Sequence, residues 1–124
     1  MVSDGVKAFL FSGYNGSDYF NDTWEYNFDT DNWMQVAPVS SPPARAWSYA
    51  GYDLDNGKII LFGGRLYDAT ISSETWIYHI GGSSWTKGGY GPSSRLGAAG
   101  CYEPENKKFL IFGGEGTSYF NDTW

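Results

Sequence analysis

The words YFNDTW stand at residues 19–24 and again, letter for letter, at residues 119–124. Six identical residues at two places in a chain of 124 are far beyond coincidence, so a repeat is expected and its period is the first quantity to find. The stretch KIILFGG at 58–64 supplies it, because KAFLFSG at 7–13 and KFLIFGG at 108–114 align with it, and the closing glycines Gly13, Gly64 and Gly114 lie 51 and 50 residues apart. An acidic-Thr-Trp triplet follows each: Asp22-Thr23-Trp24, Glu74-Thr75-Trp76 and Asp122-Thr123-Trp124. A second tryptophan comes nine residues after the first at Trp33 and Trp85, while Arg45 and Arg95, like Tyr52 and Tyr102, are 50 apart.

Within one period the pattern is that of strands. WEYNF and WIYHI alternate, which places Trp24, Tyr26 and Phe28 on one face and Trp76, Tyr78 and Ile80 on its equivalent. IILF and FLIF are continuous apolar runs ended by glycine, as expected of strands covered on both faces. AWSYAGYDL and LGAAGCYE are rich in small residues and suit a strand pressed close to others, while NWMQVAP and SSWTKGG are short and polar-ended and read as the outermost strand. The unit is therefore four strands: A around 46–54, B at 58–63, C at 75–80 and D at 84–88. DLDNGK, DTDN, GGSS, SSPPAR and GYGPSSR carry the turn chemistry between them, and no long stretch has a helical period.

A repeat of about 50 residues with four strands, an apolar run ending in Gly-Gly and spaced Tyr and Trp resembles the Kelch repeat. Ser12-Gly13 is the one departure from Gly-Gly. The resemblance implies an all-β fold of Kelch-type propeller blades, each a four-stranded antiparallel meander with strand A lining the central channel. The phase then reads as strands B-C-D of a first blade in 1–44, a complete blade in 45–91, and strands A-B with the start of C in 92–124. Closed propellers need roughly four to eight blades, so about two and a half make an incomplete propeller. Such a chain is expected to be a window on a longer protein or a protomer that borrows neighbours, and by itself to self-associate.

Composition bounds the function. A net charge of −6, from 14 acidic and 8 basic residues, argues against nucleic acid and anionic membrane surfaces, which need clustered cations. Hydrophobic residues at 41% and aromatics at 19% exclude a disordered chain. Cys101 is the only cysteine and His79 the only histidine, so no metal site of the usual zinc or copper kind, and no cofactor, is expected. His79 reads as a polar strand residue and Cys101 as a small core residue. No signal-peptide-like start is present and a single cysteine suits a reducing compartment, whereas sequons at Asn15, Asn21 and Asn121 point to secretion, leaving localisation open. Asp22, Glu74 and Asp122 recur at one repeat position, which reads as a turn hydrogen bond or an arginine pairing rather than catalysis, and no catalytic constellation is expected.

In a meander the B–C and D–A loops fall on one rim, and these are the loops that vary between copies. Variable loops on a rigid scaffold are where binding concentrates. Tyr14, Tyr19, Phe20, Arg65, Tyr67 and Tyr90 give this rim the Tyr/Arg character of interaction surfaces. Arg45 and Arg95 open strand A at the channel mouth and read either as arginines spanning two blades through a carboxylate or as further rim contacts. The expected function is a protein-interaction module of the scaffold or adaptor type, binding another protein through that rim. A carbohydrate-binding or carbohydrate-acting propeller, with its polar groups at the channel mouth, is the alternative.

Overall fold

The computed structural model describes residues Met1–Trp124 and is all-β, relieved by a single 3-10 turn at Ile80–Gly82. The first blade comprises β1 (Val2–Ser3), β2 (Lys7–Tyr14), β3 (Tyr19–Asn27) and β4 (Asn32–Val36), hydrogen-bonded in that order. The chain then forms β5 (Arg45–Ala46), β6 (Tyr49–Asp53), β7 (Lys58–Phe62), β8 (Arg65–Leu66), β9 (Glu74–His79) and β10 (Ser84–Tyr90). Of these, β6, β7, β9 and β10 make the second blade, with β10 at its edge, while β5 pairs with β8. The third unit is the antiparallel pair β11 (Ala99–Glu103) and β12 (Lys108–Phe112), to which Thr123 adds one bridge opposite Phe112.

The phase expected for residues 1–44 needs one correction. The first blade begins with a stub of strand A, because Val2 and Ser3 pair with Phe9 and Ala8 as Tyr52 pairs with Ile59 in the second blade. A tight A–B turn makes this possible. The Asp4 carboxylate accepts from the Val6 and Lys7 N–H groups, as that of Asp53 accepts from Asp55 and Asn56 and that of Glu103 from Glu105 and Asn106. One acid per repeat thus satisfies the turn's free donors.

The main core lies between the first two blades. Phe9 from one, and Ile59, Leu61, Tyr78 and Trp85 from the other, are buried. Phe11 meets Trp85 at 4.8 Å between ring centroids, and Phe9 meets Tyr78 at 6.0 Å. Two hydrogen bonds cross this apolar layer. Trp85 Nε1 donates to Thr23 Oγ1 at 3.0 Å, and the Tyr78 hydroxyl donates to Glu25 Oε1 at 2.9 Å, with Glu25 Oε2 held by Lys7 Nζ at 2.7 Å. Burial, reinforced by Glu25 against an opposing contact with Ser83, pushes the Tyr78 hydroxyl up to about 12. A buried carboxylate is tolerable because both its oxygens are occupied.

Cys101 is exposed, contrary to the expectation of a core residue. It occupies the strand-A place of Gly51, opposite Leu110 as Gly51 is opposite Ile60. A Cβ at Gly51 would press on Phe109 of the third unit, whereas the matching face of the third unit is open.

The Ser12-Gly13 departure has a conformational consequence. Ser12 sits at φ +62°, the left-handed region that Gly63 and Gly113 occupy at +70° and +66°. Serine is strained there where glycine is not. Ser12→Gly is therefore expected to raise stability by about 0.5 kcal/mol after the added freedom of the unfolded chain is set against the relief of strain, measured as a higher urea midpoint at unchanged slope.

Candidate functional site: an aromatic rim above two buried arginines

The B–C and D–A segments do share one rim, because β5 and β8 pair there, with Arg45 opposite Leu66 and Ala46 opposite Arg65. The third unit repeats the arrangement through the Leu96–Glu115 bridge.

Arg45 and Arg95, expected among the rim contacts, are corrected to buried structural residues with relative exposures of 0% and 1%. Arg45 Nη1 donates to the Gly63 carbonyl at 3.0 Å and Nη2 to Glu74 Oε2 at 3.1 Å. Arg95 Nη1 donates to the Gly113 carbonyl at 2.8 Å and to Asp122 Oδ1 at 2.6 Å, with Nη2 reaching Oδ2 at 2.9 Å. The carboxylate in each case belongs to the same repeat, so neither side chain spans two blades. The main chain of Arg95 does so instead, accepting from Gly64 N–H and donating to the Ser72 carbonyl. The buried guanidinium thus closes the Gly-Gly turn of its own blade.

The same carboxylates accept the indole N–H two residues on: Trp24 to Asp22, Trp76 to Glu74 and Trp124 to Asp122. Burial pushes the Glu74 carboxyl up, but hydrogen bonds from Lys87, Trp76 and Arg45 outweigh it and hold the group at about 2. Asp122 is held well below the usual carboxylate range by Arg95 and then Trp124. The recurring acid is the hub of a structural network, which explains the D/E-T-W triplet.

With the arginines removed, the rim is aromatic. Tyr14 and Tyr19 stack at 4.6 Å, and Trp47 joins them at 5.8 and 6.2 Å. Tyr67, Tyr90 and Tyr119 stand 72%, 74% and 85% exposed, and Arg65 is exposed as the strand partner of Ala46, beside Trp47. Lys87 lies over the Tyr90 ring at 5.3 Å. Behind the cluster a cleft of about 210 Å³ runs between the first two blades, lined by Ser12, Gly13, Trp47 and Ser48 and by the core face beneath. No carboxylate, lysine, arginine or histidine lines it. His79, the one histidine, makes its one side-chain hydrogen bond with the Thr86 hydroxyl at 2.8 Å.

Trp47 is the site residue the sequence reading passed over. Its backbone is left-handed, φ +57°, and splits strand A into β5 and β6. Its counterpart in the next repeat is Gly97, at φ +63°. The signal was present as RAWS at 45–48 against RLGA at 95–98, a bulky aromatic where the aligned copy has glycine.

These repeats have relatives. No family model matches the chain. It is 32% identical over 114 residues to Kelch domain-containing protein 1 of Mus musculus, covering 89% of this chain and 28% of that protein. It is 30% identical over 122 residues to tRNA wybutosine-synthesizing protein 4 of Candida glabrata, covering 91% of this chain and 17% of that protein. The solved structure of YjhT superposes with a TM-score of 0.80 at 26% identity, over 98% of this chain and 40% of that one. The chain is built of Kelch repeats. It spans well under a third of the curated relatives it matches, and its Kelch blades form an incomplete propeller.

Proposed function

We propose that this Kelch chain binds another protein through the B–C/D–A rim, with Trp47, Tyr14 and Tyr19 as the anchor and Arg65, Tyr67 and Tyr90 around it. The observation that carries the reading is Trp47: a large aromatic, 48% exposed, held in a backbone conformation that the next repeat reserves for glycine. A left-handed non-glycine residue costs on the order of 1–3 kcal/mol and persists where something else is gained. An exposed, rigid aromatic cluster with a neighbouring arginine is the composition of interface hot spots. Kelch repeats in the relatives support an interaction module. A carbohydrate-acting site calls for a pair of carboxylates at the bound sugar, and no carboxylate lines the cleft.

The test starts from partners captured on the full-length protein, followed by affinities and melts of variants. Trp47→Gly is expected to weaken binding by about 2 kcal/mol or more. Its stability should stay within about 1 kcal/mol of the parent, because relief of strain offsets the lost ring contacts. Arg65→Ala and Tyr67→Ala are each expected to weaken binding by about 1–2 kcal/mol and to change stability by less than about 0.5 kcal/mol. Unchanged affinity in all three overturns the reading.

A further inference from the structure

We propose that Asn15, in the first B–C loop, is a site of spontaneous covalent modification: its side-chain amide cyclises onto the Gly16 main-chain nitrogen and reopens as aspartate or isoaspartate. The chain holds two Asn-Gly pairs, Asn15-Gly16 and Asn56-Gly57. Glycine favours this cyclisation because it carries no side chain to shield its nitrogen or restrict its backbone. By sequence the two pairs are therefore alike. The fold separates them.

Asn56 is locked. The Gly57 N–H, whose nitrogen would attack, donates to the Asp53 carbonyl at 2.9 Å. Asn56 Nδ2, the leaving group, donates to Asp53 Oδ2 at 2.8 Å, and the Asn56 N–H donates to Asp53 Oδ1 at 3.1 Å. The amide is thus held on a carboxylate, whose charge opposes the oxyanion that attack would create. At Asn15 the arrangement is reversed. Neither the Gly16 N–H nor Asn15 Nδ2 has an acceptor within the chain, while Asn15 Oδ1 accepts from the Ser17 N–H at 2.9 Å and the Asp18 N–H at 2.7 Å. Two main-chain donors on the oxygen that gains the charge stabilise the tetrahedral stage, as an oxyanion hole does. Asn15, Gly16, Ser17 and Asp18 are all exposed, so solvent reaches the reacting atoms. That exposure belongs to the loop rather than to the place of this blade in the chain. In the second blade, which packs on the first through Phe9 and on the third unit through Phe109, the loop residues Tyr67, Asp68, Ala69 and Thr70 are exposed as well.

Base and water from solvent are the co-reactants. Base takes the Gly16 amide proton, the nitrogen bonds to Asn15 Cγ, the Cγ–Nδ2 bond breaks and Nδ2 leaves as ammonia, giving a succinimide. Water then adds to either ring carbonyl and breaks its bond to the Gly16 nitrogen, leaving a carboxylate. The isoaspartate branch inserts a methylene into a turn closed by the Asn15 N–H on the Asp18 carbonyl at 3.2 Å and by the Tyr14 hydroxyl on the Gly16 carbonyl at 2.6 Å. Either product places a new negative charge next to Tyr14 on the aromatic rim, so old and new molecules differ there.

The test ages the full-length protein in neutral buffer and follows tryptic peptides 8–45 and 46–58 by mass spectrometry, with fragmentation to place each amide-to-acid mass gain. Conversion at Asn15 is expected to outpace that at Asn56 several-fold, and to quicken as pH rises because the attacking nitrogen must lose its proton. In guanidinium chloride, where the fold is gone, the two rates should converge. Asp53→Ala, with its fold checked by a melt, is expected to speed Asn56 several-fold and leave Asn15 unchanged. Equal rates in the folded protein, faster conversion at Asn56, no conversion at Asn15 while the unfolded chain reacts, a difference that persists in denaturant, or an unchanged Asn56 rate in folded Asp53→Ala each overturns the proposal.

Discussion

Arg45→Met is expected to lower the unfolding free energy by about 3–5 kcal/mol, the cost of removing one partner from a buried ion pair. The methionine keeps most of the buried stem but leaves the Gly63 carbonyl and Glu74 Oε2 without their guanidinium donor. The loss should fall toward the lower end, because Glu74 is still 20% exposed and keeps Lys87 at 2.5 Å. Chemical denaturation of parent and variant measures it, and a loss below about 1 kcal/mol would mean that the network is decorative. The same network sets an acid limit. The Glu74 carboxyl is held at about 2 in the folded chain against an ordinary 4.5. A group whose value is depressed by folding stabilises the fold above its unfolded value, and that contribution is lost as pH falls through the folded one. Stability should therefore decline from about pH 4.5 down to about pH 2, and Glu74→Gln should flatten that part of the profile.

Trp85→Ala is expected to cost about 3–5 kcal/mol, the range for emptying a buried large aromatic. Trp85 is 3% exposed, packs on Phe11 and Tyr78, and its indole N–H serves Thr23 across the blade boundary. The repeat makes Trp76 equally prominent in sequence, yet Trp76 is only half-buried, with its indole N–H on Glu74. Trp76→Ala should cost clearly less. His79→Ala should cost little, since its side-chain partner is the hydroxyl of Thr86 on an exposed surface. Thermal melts ranking Trp76 above Trp85 would refute the assignment of the inter-blade core.

The blade plan was legible because it is written in local pattern. Alternating WIYHI gave a strand with Tyr78 facing the core, and the short polar SSWTKGG gave the edge strand now seen as β10. Both follow from the period of two along an extended chain. The arginines were misplaced at the rim for an equally physical reason. Position in the repeat locates a residue along the strand, but whether its side chain turns inward depends on the Gly-Gly carbonyl and the acid that come 18 and 29 residues later for Arg45. Those partners meet it only after the sheet has formed.

By itself, the sequence determined the period, the four-stranded unit, the strand faces and the glycine turns, since each is dictated by neighbours a few residues away or by spacing that recurs at 50. Tertiary structure alone decided what depends on one blade meeting the next. Blade contact buries Trp85 while leaving the equivalent Trp33 half exposed. It also makes Glu25 an interior acid, because Tyr78, 53 residues away, arrives opposite it. Through the stacking of Tyr14 and Tyr19 on Trp47, it assembles a rim cluster from two blades. Repeated positions share one local structure, but their burial depends on the blade that covers them, and no single repeat encodes its neighbour.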